Sequence, residues 1–159
     1  MPAWLFTLLA TGFILYTDDY VIAGILPELA ADLGVSESRA GQLITAFSLT
    51  VAIVAPVAAA ALAKVSRRKL FTIGLCLFIL TNGLAAVTPS YPILLVLRVT
   101  AAVAAAGMTP AVFAFAAEQA PEDKTGRYIA VVSLGVTGAI AVGVPIGTWI
   151  GGHLSLIHI

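Results

Sequence analysis

Five long apolar runs constrain this chain more than any other feature. They occupy residues 4–26, 40–63, 70–87, 92–117 and 128–150, and crossing a hydrocarbon core takes about 20 such residues. Within them stand only three charged side chains, Asp18, Asp19 and Arg98, while every other charge lies in a short connection. A bilayer imposes that segregation, because a charge in hydrocarbon has no water to solvate it. Charged residues make up 10% of the chain, against roughly 25% in an ordinary soluble domain, too little polar surface to coat a water-soluble globule. The net charge is zero, with one basic cluster of consequence, which excludes a nucleic-acid binder. Cys76 is the single cysteine, so neither an internal disulfide nor a cysteine-based metal site is available. The expectation is an all-α membrane protein of five transmembrane helices, with no cofactor and no metal.

The first run is expected to stay as a helix and not to be cleaved as a signal peptide: no Lys or Arg precedes it, and it carries two Asp. Pro27 with the polar stretch 28–39, then 64–69, 88–92 and 118–127 punctuate the runs. Short connections favour antiparallel neighbours in one bundle spanning residues 1–152. Lys64, Arg67, Arg68, Lys69, Lys124 and Arg127 fall on one side of the membrane and Arg39 on the other. Because basic loops stay in the cytoplasm, the amino terminus is expected inside. Trp4 and Tyr128 then sit at the inner interface, and Tyr91 and Trp149 at the outer one.

The three intramembrane charges cost about 2.5–3.5 kcal/mol each even on a lenient scale. At ~1.5 Å per residue, Asp19 lies roughly 12 Å and Asp18 roughly 13 Å below Pro27, and Arg98 roughly 9 Å below Pro92. Depth alone lets the guanidinium meet one of the carboxylates in the outer half of the bundle. Burial disfavours a charged carboxylate and a guanidinium favours it, so small changes in hydration let such a group take up or release a proton. The plain structural alternative is a pair that only fixes the first helix against the fourth.

Small residues form a second pattern. The fifth run carries Gly135, Ala139, Gly143, Gly147 and Gly151 at a spacing of four, with Gly138 and Gly152 beside the row and Pro145 inside it. Such a groove admits another backbone closely, and Pro145 frees the Ala141 carbonyl and is expected to kink the helix. A similar row, Gly41, Thr45, Ser48, Ala52, Ala55 and Ala59, runs down the second helix, where generic packing accounts for it as well. In the third, Phe71, Leu75 and Phe78 share a face expected to meet lipid.

Four stretches resemble the amino-terminal half of a major facilitator superfamily transporter of the drug and sugar (arabinose-type) efflux branch. Thr17-Asp18-Asp19-Tyr20 through Pro27-Glu28-Leu29-Ala30 and on to Asp32-Leu33-Gly34-Val35-Ser36 is similar to that branch's first-helix signature. Arg98 with the Ala-rich run after it resembles the fourth-helix motif, although Ala101 and Ala102 stand where Gln and Gly are frequent. Gly143-Val144-Pro145-Ile146-Gly147 is similar to the fifth-helix motif of exporters. The connection with Lys64, Arg67, Arg68 and Lys69 resembles the family's cytoplasmic loop, but Lys64 replaces an Asp and Arg67 a Gly.

The resemblance implies six helices per half and two halves, so five helices make an incomplete half. Residues 153–159 depart from the pattern and are expected to be a foreign or truncated end. It further implies a multi-pass protein of the inner (plasma) membrane that exports a small molecule against proton entry by alternating access. Proton coupling then falls to Asp19, ranked above Asp18, with Arg98. Conformational packing falls to Gly135, Gly138, Gly143, Pro145, Gly147 and Gly151. The implied partners are membrane lipid, a small-molecule substrate, the proton and the carboxy-terminal half. The rival is a non-transporting membrane subunit that needs partner helices. An intramembrane enzyme is disfavoured, because His153 and His158 are the only histidines and lie outside the apolar runs.

Overall fold

The computed structural model describes the backbone of residues 2–154 and the side chains of residues 2–149. Five helices are long and apolar enough to cross a membrane: Ala3–Gly24, Glu37–Ala61, Arg67–Ala85, Tyr91–Glu118 and Glu122–Trp149. No strand occurs among the described residues, and the all-α, five-span class is the one the chain adopts. The first four spans are α1 (Ala3–Gly24), α3 (Glu37–Ala61), α4 (Arg67–Ala85) and α5 (Tyr91–Glu118), with a short α2 (Leu26–Asp32) after the first. The fifth span is composite: a 3-10 turn at Glu122–Lys124, α6 (Thr125–Gly138), a π turn at Ala139–Gly143 and α7 (Val144–Leu154). Residues 153 and 154 thus end a helix, and the rest of the tail, residues 155–159, lies outside the described residues.

Local chemistry sets the boundaries. Gly34 takes the left-handed conformation, φ +61°, which a residue with a Cβ adopts only at a cost. Around it the Val35 N–H reaches back to the Ala30 carbonyl at 3.0 Å and the Gly34 N–H to Ala31 at 3.1 Å, a Schellman closure that satisfies the last carbonyls of α2. Ser36 then caps α3, its Oγ accepting from the Arg39 N–H at 3.2 Å. The Asp32-Leu33-Gly34-Val35-Ser36 stretch is therefore a helix stop followed at once by a helix start, and α3 begins at Glu37, ahead of the apolar run.

The chain divides into two compact units, one of Met1–Glu28 with Val112–Ile159 and one of Leu29–Ala111. In the first, α1 and the fifth span run side by side in the same direction and in register. A Cβ on Gly135 would strike the Leu9 carbonyl oxygen, one on Gly143 the Thr17 hydroxyl, and one on Gly147 the Val21 side chain. Trp4 ties the amino-terminal end of this pair together, its ring 5.5 Å from Phe115 and 5.7 Å from Tyr128.

In the second unit, Leu43, Tyr91 and Leu94 form a buried cluster with Leu29, Leu33, Val35, Ala85 and Leu95 packed on it. Tyr91 is thus a core residue, not a ring anchored in the lipid interface: its hydroxyl lies 2.8 Å from the Arg39 carbonyl and 3.1 Å from Gln42 Oε1. Gly74 seats the buried Met108, whose sulfur would stand 2.6 Å from an added Cβ. The α4 face expected to meet lipid turns inward. Phe78 is 4% exposed and Phe71 and Leu75 are half-buried, while Ile73, Ile79 and Leu80 face out. The cause lies beside Phe78: Thr81 and Asn82 both donate to its carbonyl, at 3.0 Å each. Polar groups in a span belong on the protein side, so they carry their apolar neighbours inward.

Candidate functional site

Asp18 and Asp19 stand on α1 in the first unit and Arg98 on α5 in the second. None of the three is presented openly to lipid. Both carboxylate residues are half-buried, and Arg98 is only 2% exposed. The faces around them explain this. Arg98 shares its side of α5 with the buried Leu94, Ala101, Ala102 and Ala105. Those alanines leave room beside α5 for the long side chain. The Arg98 guanidinium lies over the Phe47 ring of α3, Cζ 4.3 Å from the centroid, where the ring's negative face offsets part of its lost hydration. No spacing rule in the sequence links residues 47 and 98.

The glycine row is a seam rather than a loose groove. A Cβ on Gly135 would meet backbone, the Leu9 carbonyl oxygen and, at 3.2 Å, the Phe13 nitrogen. A Cβ on Gly143 would strike both branches of Thr17 and the Phe13 ring, and one on Gly147 the Val21 side chain. A Cβ on Gly138 would stand 3.5 Å from the Phe13 ring, an ordinary contact distance. Gly151 lies in α7, and its surroundings fall outside the described residues. Gly24, which the row did not include, closes the far end: a Cβ there would strike Thr148.

Pro145 acts through the π turn just before it. In a regular helix its ring would press on the Ala141 carbonyl. Here the Val144 N–H bonds to the Ala139 carbonyl, five residues back, and the wider turn relieves that clash. Single π turns are uncommon and recur at functional sites. Opposite it, the Thr17 Oγ1 is buried without a hydrogen-bond partner. Thr11, further back on the same helix, donates to the Thr7 carbonyl at 2.9 Å, the usual arrangement for a hydroxyl in a span.

The basic loop residues occupy the turn after α3 and the start of α4. Lys64, Arg68 and Lys69 are exposed and Arg67 is half-buried. Arg67, Arg68 and Lys69 form the first turn of α4, where the helix dipole disfavours cations. Helix stability therefore does not place them there. The small-residue row of α3 is largely uncovered: Thr45, Ser48, Ala52 and Ala59 are exposed, Gly41 and Ala55 are half-buried, and nothing lies within 4 Å of where Gly41 would carry a Cβ.

Half-buried acids and a buried arginine within membrane-length helices, a glycine seam and a proline-linked π turn define a polytopic membrane protein. The chain belongs to the Major Facilitator Superfamily, whose family profile matches residues 8–157. It is 39% identical over 146 residues to the uncharacterized MFS-type transporter YbcL of Bacillus subtilis (strain 168), covering 92% of this chain and 37% of that protein. It is 38% identical over 156 residues to a chloramphenicol resistance protein of Streptomyces lividans, covering 95% of this chain and 40% of the relative. The inner membrane transport protein YdhP of Escherichia coli (strain K12) is 31% identical over 144 residues, 90% of this chain and 37% of that one. The chain thus spans about two fifths of the length of these relatives, which carry the names of transporters and a resistance protein, not of enzymes.

Proposed function

We propose that this chain is the amino-terminal part of a secondary transporter that exports a small molecule from the cell in exchange for protons, by alternating access. The observation that carries the reading is the near-complete burial of Arg98 within a membrane-length helix, in a chain whose α1 holds two further intramembrane acids. Charges kept inside spans mark ion or substrate pathways by default. Asp19 is the proposed proton carrier, with Asp18 and Arg98 as the further proton-coupling residues. The seam from Gly135 to Gly151, with Pro145 in it, is the proposed element that rocks between two packings. Lys64, Arg67, Arg68 and Lys69 anchor the cytoplasmic face of the plasma membrane, with the amino terminus inside.

The uncovered face of α3, with Gln42, Thr45 and Ser48 exposed, supports a carboxy-terminal half packed alongside, and substrate would bind where the halves meet. Because one relative is named for chloramphenicol resistance, chloramphenicol is the first substrate to try. The test places Asp19→Asn in the full-length transporter, reconstituted in vesicles with an imposed pH gradient. Proton-driven export is expected to vanish while the protein remains folded and inserted. Export that persists with an unchanged pH dependence removes Asp19 from the mechanism.

A further inference from the structure

The connection between α3 and α4 carries Lys64, Arg67, Arg68 and Lys69 within six residues and no acid. The connection at residues 118–127 differs: Glu118, Glu122 and Asp123 stand against Lys124 and Arg127, three acids to two cations. Retention of a loop in the cytoplasm asks for basic residues, and acids count little toward it, so that rule does not call for an acid-free cluster. Helix stability opposes one, because three of the four cations stand in the first turn of α4. The side of α4 beneath them is bare. Lys69, Ile73, Cys76 and Leu80 follow one another at intervals of four, three and four, and all are exposed, Ile73 at 66% and Leu80 at 59%. Leu70, Phe78 and Thr81 bury the other side. Ile79 and Leu84 add further bulk to the bare one, where a partner helix would favour small residues. Acyl chains cover such a surface, and their headgroups then stand level with the exposed Arg68 and Lys69.

We propose that Lys64, Arg68 and Lys69 hold the headgroup of an anionic phospholipid whose acyl chains lie along Ile73 and Leu80. The inference is independent of the transport reading. A phosphatidylcholine headgroup carries a quaternary ammonium beside its phosphate, and like charges repel it from these cations. Phosphatidylglycerol has a phosphate and no such group. Each Lys or Arg held near the membrane surface strengthens attraction to anionic lipid about fivefold. The connection at residues 118–127, with its excess of acid, offers no comparable site.

The test is native mass spectrometry of the delipidated full-length transporter, titrated with dioleoyl phosphatidylglycerol or dioleoyl phosphatidylcholine. The parent is expected to bind its first phosphatidylglycerol about fivefold more tightly than its first phosphatidylcholine, or better. Arg68→Gln with Lys69→Gln is expected to remove that preference at matched amounts of folded protein. The charge-keeping exchange, Arg68→Lys with Lys69→Arg, should hold it within about twofold of the parent. Lys124→Gln, in the mixed-charge connection, should leave it unchanged. Equal affinity of the parent for the two lipids overturns the proposal, as does a preference that survives in the Gln variant or falls equally in Lys124→Gln. Displacement of the lipid by millimolar inorganic phosphate overturns it as well, because the cations would then be a site for a free anion to which acyl chains add nothing.

Discussion

Two rows of small residues look alike in the sequence and behave as opposites in the fold. Gly135, Gly143 and Gly147 press against α1 so tightly that no Cβ fits, whereas Thr45, Ser48 and Ala52 lie exposed along α3 and a Cβ on Gly41 would meet open space. The difference shows what such a row can and cannot say. Spacing of four announces a surface that permits close approach, but only a second helix of matching register uses it. On α1 that match exists, because Leu9, Thr17 and Val21 repeat with the same interval as their glycine partners. Glycine is needed only where the partner is backbone or a branched side chain already in contact.

The contrast breaks most visibly at Gly135. Its added Cβ would meet the Leu9 carbonyl and the Phe13 nitrogen, backbone atoms that no rotamer change can move. Gly135→Ala must push α6 from α1, an overpacking cost on the order of 1–3 kcal/mol or more. A marked fall in the thermal unfolding temperature of the detergent-solubilised protein is expected. Gly41→Ala, one methyl added in open space, should leave that temperature unchanged or raise it slightly through better helix propensity. Equal effects from the two substitutions would erase the distinction between the rows.

A smaller effect sharpens it. Pro145→Ala removes the ring that would press on the Ala141 carbonyl and restores an amide N–H, so the π turn at Ala139–Gly143 loses its cause. The segment is expected to return to regular α-helix, which advances α7 relative to Val21 and Thr17. The readout is the pattern of crosslinks between cysteine pairs placed on α1 and α7, which should shift by about one residue. An unchanged pattern would show that the tight α1 packing, and not the proline, holds the π turn.

What the sequence made legible follows from what the bilayer reads. Hydropathy over twenty residues located the five spans, and the charges inside them stood out against it. The direction in which a helix turns was less legible, because lipid tails are as apolar as Phe or Leu and give apolar side chains no preferred side. Phe71, Leu75 and Phe78 illustrate this: their face turned inward with Thr81 and Asn82, the polar residues a turn away. In that helix the sparse polar residues carried the information that hydrophobic ones lacked. The position of Arg98 over Phe47 was beyond sequence reading for another reason: the two lie on different helices, far apart in the chain, and a ring that receives a guanidinium looks like any other apolar residue. The carboxylates on α1 were legible because they are the only acids within the five apolar runs.

The smallest expected effect tests whether the seam depends on shape alone. Thr17 places its Oγ1, buried and without a hydrogen-bond partner, where Gly143 leaves room. A buried donor left unsatisfied costs on the order of 1–3 kcal/mol, and replacing it by an apolar group of the same outline removes that cost. Thr17→Val keeps both branches at Cβ and therefore the contact with Gly143. Its unfolding temperature should match or slightly exceed that of the parent, while Thr17→Ala, which leaves a gap, should fall below both. A clear loss of stability in the Val variant would mean that the hydroxyl is partnered in the membrane, and that a hydrogen bond as well as close fit holds α1 to the π turn.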